Sequence, residues 1–121
     1  MRTIKFRGKS CSNGDWFYGN LYDYDKDGRT HICGLERGCL NIDPNTVGQF
    51  TGLLDKNGKE IYEDDIVEFV NVNLPDCVIV YDNGSFMYRE LGEDISLEEL
   101  RLQFTVEVIG NIHDNPELMK I

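Results

Sequence analysis

Three groups of residues in this chain have the types that do chemistry. The first is Asp23-Tyr24-Asp25-Lys26-Asp27-Gly28. Alternating carboxylates ahead of a Gly turn match the opening of a calcium loop, in which Asp23, Asp25 and Asp27 would supply oxygens. The match stops there. The twelfth position, which needs a bidentate Glu, is Gly34, and Glu36 follows two residues too late. An Asp-rich hairpin turn accounts for the string, with opportunistic cation binding at most. No metal site or cofactor is assigned.

The second group is His31, Cys33 and Cys39, with Cys11 and Cys77 further away. There is no C-x-x-C pair, and structural zinc sites normally use closely spaced pairs. If His31 and Cys33 share a strand they point the same way. Free cysteines more often act as small buried hydrophobes. A thiol nucleophile built from Cys33 or Cys39 with His31 or His113 has no support in the spacing. His113, beside a C-terminal turn, is expected to be exposed.

The third group is Glu60, Glu63, Asp64 and Asp65. Neighbouring carboxylates can do acid-base work or hold magnesium. A metal-assisted hydrolase using Glu63, Asp64 and Asp65 is therefore one functional reading. No His and no Gly-rich phosphate loop is nearby in sequence, so a solvated turn is the simpler reading. Asp65 is expected to accept a backbone amide bond and close that turn. The chain has neither G-x-S-x-G nor a Walker motif, and no catalytic residue is assigned.

Short strands must position these groups. Thr3 to Arg7 alternates with a period of two. Asp15 to Tyr24 reads as a strand with Trp16, Tyr18, Asn20 and Tyr22 on one face and Phe17, Gly19 and Leu21 on the other. Both faces are partly apolar, which suits a central strand, and most of the aromatics are expected to fill a core. Turns are expected at 25–28, at Asp55-Lys56-Asn57-Gly58 and at Asp82-Asn83-Gly84, where Asn-Gly tolerates positive φ. Returning strands are expected at Arg29 to Cys33, Ile66 to Val70, Cys77 to Tyr81, Ser85 to Arg89 and Thr105 to Ile112, with a short one near Cys39 to Ile42. Ser96-Leu97-Glu98-Glu99 matches a capping box and predicts one short helix over 96–103. Asn115-Pro116 suits the start of a last helical turn.

The stretch Val47 to Val67, V-G-Q-F-T-G-L-L-D-K-N-G-K-E-I-Y-E-D-D-I-V, resembles the central signature of the YopX family. Ile4-Lys5-Phe6-Arg7-Gly8 with Trp16-Phe17-Tyr18-Gly19 resembles its opening. Glu107 to Ile112 with Asn115-Pro116-Glu117-Leu118 resembles its close. The family usually has Gly at the position of Asp64, which implies a positive φ there; Asp is among the residues that tolerate it. The resemblance implies a small protein of phage or prophage setting and carries no established activity or site residues.

These readings give a mainly β fold of two small antiparallel lobes, approximately 1–46 and 47–121, within a single YopX-like domain. The C-terminal lobe would be an SH3-like barrel. The 121 residues suit one domain, and 40% apolar with 28% charged residues suits a folded one. A net charge of -10 argues against a nucleic-acid backbone as direct partner. Arg2, Lys5, Arg7 and Lys9 could form a local basic patch, but the solvent face of an edge strand explains them as well. The start lacks the apolar run of a signal peptide and nothing has the length of a membrane span, so a cytoplasmic protein with four reduced cysteines is expected. The leading functional reading is a non-enzymatic accessory β module for protein-protein interaction or self-assembly. The metal-assisted hydrolase and a purely structural homo-oligomer are the alternatives.

Overall fold

A computed structural model describes residues 3–24, 29–34, 38–90, 93–96 and 105–119. Among them the fold is mainly β, with eleven strands and two 3-10 turns. The chain divides into two compact units, Met1–Gly52 and Leu53–Ile121.

In the first unit, β1 (Phe6–Lys9), β2 (Trp16–Tyr24), β3 (Arg29–Gly34), β4 (Gly38–Ile42) and β5 (Gly48–Leu54) are ordered β4-β3-β2-β1-β5, β5 running past the unit boundary. All the pairings recorded among them are antiparallel. As its two partly apolar faces suggest, β2 is central. It puts Phe17 into a core with Ile32 and Ile42, while Tyr18 and Tyr22, on the opposite face, are exposed. The sheet curls until the end of β1 meets β4. Cys11 N–H donates to Asn41 O at 2.9 Å and Asp43 N–H to Lys9 O at 2.9 Å, flanking a bridge between Ser10 and Ile42. The 3-10 turn Pro44–Thr46 follows.

The first strand begins at Phe6, later than its alternation suggests, and runs on past Arg7 through Gly8, which pairs with Phe17, to Lys9. A Cβ at Gly8 would collide with Ile42 Cγ2, so the missing side chain is what lets the sheet curl. Nor is β1 an edge. It lies between β2 and β5, and Arg7 is only 5% exposed. Its guanidinium sits 4.5 Å from the Trp16 ring centroid, with Lys9 Nζ 5.4 Å from the same ring, so cation–π contacts account for these basic residues within the unit.

In the second unit, the turn at Asp55–Gly58 leads into β6 (Glu60–Tyr62). Then β7 (Asp65–Val70), β8 (Cys77–Asp82), β9 (Ser85–Glu90), β10 (Glu93–Ser96) and β11 (Thr105–Asn111) form a sheet in the order β10-β9-β8-β7-β11. Val67, Phe69, Ile79, Tyr88 and Val106 build its core with Ile61 and Cys77. Asn83 and Gly84 both have positive φ (51° and 82°), as a two-residue hairpin loop requires.

This sheet is open, which corrects the SH3-like barrel expectation. A barrel needs its first and last strands to pair. Here β10 and β11 stand at opposite edges, and the described residues close no barrel. The turn before β6 meets β11 instead: Lys56 N–H donates to Val106 O at 2.9 Å, and Val108 N–H to Asp55 Oδ2 at 3.0 Å. Of the helix expected over 96–103, residues 97–103 lie outside the described residues. Ser96, read as its cap, ends β10 opposite Met87. The predicted C-terminal turn is the 3-10 segment Pro116–Met119.

Candidate functional site

The acidic stretch after β6 separates its carboxylates. Asp65 opens β7, is 1% exposed, and accepts the Tyr62 N–H on Oδ2 at 2.8 Å. That is the turn-closing role its type and position predict, and it removes Asp65 from the solvent-facing set. Asp64 has φ 75°, the positive value implied by the Gly usual at this position. Its backbone is held on both sides, its N–H donating to Ile79 O at 2.8 Å and its carbonyl accepting Ile112 N–H at 3.0 Å. Its side chain turns outward to His113, with Nε2 and Oδ2 3.1 Å apart. Glu63 is half-buried beside them. Glu63 and Asp65 therefore do not offer the shared solvent-facing carboxylate pair that the hydrolase reading needs. Among the described residues no group of three or more His, Cys, Asp or Glu is arranged to hold a metal ion.

His113 is the residue that sequence reasoning misplaced. Its side chain is 17% exposed rather than open to solvent, and it supplies the imidazole thought missing from this region. Asn111 holds the turn that carries it. Asn111 Oδ1 accepts the N–H groups of His113 and Asp114 at 3.0 and 2.9 Å. Its Nδ2 donates to Asp114 Oδ2 at 3.1 Å, and its own N–H donates to Asn115 Oδ1 at 3.3 Å. The pairing of Asp65 with Asn111 across β7 and β11 then brings this turn to Asp64. An imidazole fixed by a carboxylate can hold one tautomer and pass a proton at its other nitrogen.

Asp55 supports the same unit and was legible only as a turn residue. Its Oδ1 accepts Asn57 N–H at 2.8 Å and Lys59 N–H at 2.9 Å, while Oδ2 reaches Val108. Burial pushes its pKa up, but the three backbone donors and the nearby Lys59 charge outweigh that and hold it below 3.8. In the core, Tyr88 packs 5.0 Å from Phe69 (ring centroid to centroid). Burial, and then the Cys77 thiol beside it, push the Tyr88 hydroxyl up to about 12.

In the first unit, Asp23 lies on β2 opposite Thr30. Asp25 and Asp27 lie outside the described residues. His31, Cys33, Cys39 and Asn41 share one face of β3 and β4, because His31 pairs with Asn41 and Cys33 with Cys39. As expected, His31 and Cys33 point the same way. The expectation of four reduced thiols is corrected: Cys33 and Cys39 form a disulfide, leaving Cys11 exposed and Cys77 buried as free thiols. Their direct opposition on neighbouring strands brings the two Cα atoms to 3.9 Å, a proximity no sequence spacing announced. Ser10, Cys11, His31, Cys39 and Asn41 line a cavity of about 430 Å³. The aromatics of β2 are less core-directed than expected: Phe17 is buried, Trp16 is half-buried under Arg7, and Tyr18 and Tyr22 face outward.

Residues 5–120 match the family model described as YopX protein. Among solved structures, the crystal structure of protein EF1440 from Enterococcus faecalis is similar to this chain, with a TM-score of 0.64 and 26% sequence identity. The similarity covers 99% of this chain and 100% of that one. No curated protein matches.

Proposed function

The chain belongs to the YopX family, and from that premise we propose that it is an accessory β module of phage or prophage origin whose acidic second unit binds a protein partner with a basic surface. Charge segregation carries this reading. Residues 1–52 hold seven basic and six acidic residues, a net of +1; residues 53–121 hold five basic and sixteen acidic, a net of −11. So one-sided a field favours encounter with a basic surface and resists a nucleic-acid backbone.

The β7–β11 pair adds a local argument. Glu68, exposed, lies directly opposite Glu107. Like charges facing each other across strands destabilise a sheet by a few tenths of a kcal/mol or more. Lys56 Nζ, 3.0 Å from Glu107 Oε1, offsets part of that. A cationic partner would offset the rest, so the arrangement costs the free protein stability that binding returns.

The test is a pull-down from nuclease-treated host lysate at two salt concentrations, with native mass measured alongside. A defined basic protein, retained at low salt, released at high salt and weakened by Glu68→Lys, is the expected result. A partner indifferent to both salt and that change would overturn the acidic-surface reading. Recovery of the bait alone with a native mass above that of the monomer would favour self-assembly.

A further inference from the structure

We propose that Cys11, Cys33 and Cys39 form a thiol–disulfide exchange site, in which the Cys11 thiolate opens the Cys33–Cys39 disulfide by attacking Cys39. Four observations carry it. Cys11 is a free, exposed thiol. Cys39, its target, is the exposed half of the disulfide. Both residues line the same cavity. The backbone also fixes their approach. Cys11 N–H is bonded to Asn41 O at 2.9 Å, and Asn41 lies two residues along β4 from Cys39, on the same face. Diagonal neighbours of this kind in an antiparallel pair lie about 7–8 Å apart, and less between side chains. Cys11 begins an exposed turn at Cys11–Asn13, so closing the remaining gap moves a surface turn and leaves the core packing intact.

The step balances without any outside oxidant. Cys11 gives up its proton, and its sulfur electron pair forms a bond to Cys39 Sγ. The Cys33–Cys39 bond breaks, and Cys33 leaves as a thiolate and takes up a proton. One disulfide and one thiol are present before and after. His31 is the base that the cavity offers for the proton of Cys11. The cavity volume lies in the range of small-molecule sites. It therefore suits a small peptide thiol of about the size of glutathione as the external partner. Its thiolate attacks Cys39, and the Cys33–Cys39 bond breaks with Cys33 leaving as the thiolate and taking up a proton. Cys11 then resolves the mixed disulfide at Cys39 by displacing that thiol. Cys77 takes no part: it is 6% exposed and belongs to the core of the other unit.

The experiment uses the full chain in a glutathione redox buffer at pH 8, quenched with acid, alkylated and mapped without reduction. The wild type should give two disulfide-linked peptide pairs, Cys33–Cys39 and Cys11–Cys39, with alkylation divided between Cys11 and Cys33. The Cys33→Ser variant should trap Cys11–Cys39 as an intramolecular disulfide. Cys39→Ser should instead carry glutathione as mixed disulfides on Cys11 and Cys33. The proposal is overturned if alkylation of the wild type falls on Cys11 and never on Cys33, an outcome readable even if the Cys33→Ser variant does not fold. It is equally overturned if folded Cys33→Ser gives only separate glutathione adducts.

Discussion

His113 Nε2 lies 3.1 Å from Asp64 Oδ2, joining a residue on the turn after β11 to one held at φ 75° before β7. The contact and the backbone act in opposite directions. A non-Gly residue in the left-handed region costs about 1–2 kcal/mol, and a partly buried, charge-assisted hydrogen bond returns a similar amount, about 1.5–3 kcal/mol. Asp64→Gly should therefore leave stability within about 1 kcal/mol of wild type. Asp64→Ala keeps the backbone cost, loses the bond, and should be the more destabilised by about 1 kcal/mol. Denaturant unfolding of the two variants side by side measures the difference; equal stabilities would show that the φ value carries no cost here.

Asp55→Asn should destabilise the second unit by about 1 kcal/mol, since it leaves a partly buried backbone donor unsatisfied. Asp55 accepts three backbone N–H groups on two oxygens. An amide can serve Asn57 and Lys59 only by turning its own N–H toward that of Val108. The pH dependence follows from the lowered pKa. The stabilisation is present above the ordinary value of 3.8 and is lost as pH falls through the lower folded value. The gap between variant and wild type should therefore be full at neutral pH and narrow under acid. A constant gap across the titration would count against the assignment.

Tyr88 should be the alkaline weak point. Its hydroxyl is raised from 10.0 to about 12, so the folded form gains from keeping it neutral. That contribution is complete below pH 10 and is lost as pH rises through about 12. In Tyr88→Phe the midpoint of alkaline unfolding should move upward, followed by circular dichroism. An unchanged midpoint would place the sensitivity elsewhere.

Glu68→Lys should stabilise the fold by about 0.2–1 kcal/mol, because a like-charge pair with Glu107 becomes an opposite-charge pair. The same change should weaken binding of a basic partner. Thermal unfolding and partner recovery should therefore move in opposite directions, a split that loss of folding cannot mimic.

Much of the fold was legible because single strands announce themselves. The alternation in Trp16 to Tyr22 separates Phe17 from Trp16, Tyr18 and Tyr22, although it does not announce which face is the core. The structure keeps that division, with Phe17 buried and Tyr18 and Tyr22 exposed. Asn83-Gly84 specifies its own turn, and Asp64 carries the positive φ of the glycine usual there. What stayed hidden depends on which strands pair. The meeting of Asp64 with His113 needs the β7–β11 register, and the meeting of Cys33 with Cys39 needs the β3–β4 register. Neither register leaves a mark at short range. The barrel expectation failed for the same reason: strand count and composition do not say whether the outermost strands pair.

The Asp55 turn has a consequence for solubility. By taking Val106 O through Lys56 N–H, and Val108 N–H through its own carboxylate, it occupies the outer rim of β11. An unoccupied rim is a template on which another chain can add a strand. Two residues of a turn thus act as a stopper against end-on growth. Protonating or amidating Asp55 loosens that stopper while the core of Val67, Ile79 and Tyr88 still holds, so protein taken below pH 3.8, or Asp55→Asn protein at neutral pH, should lose monodispersity in light scattering before it loses its β signal.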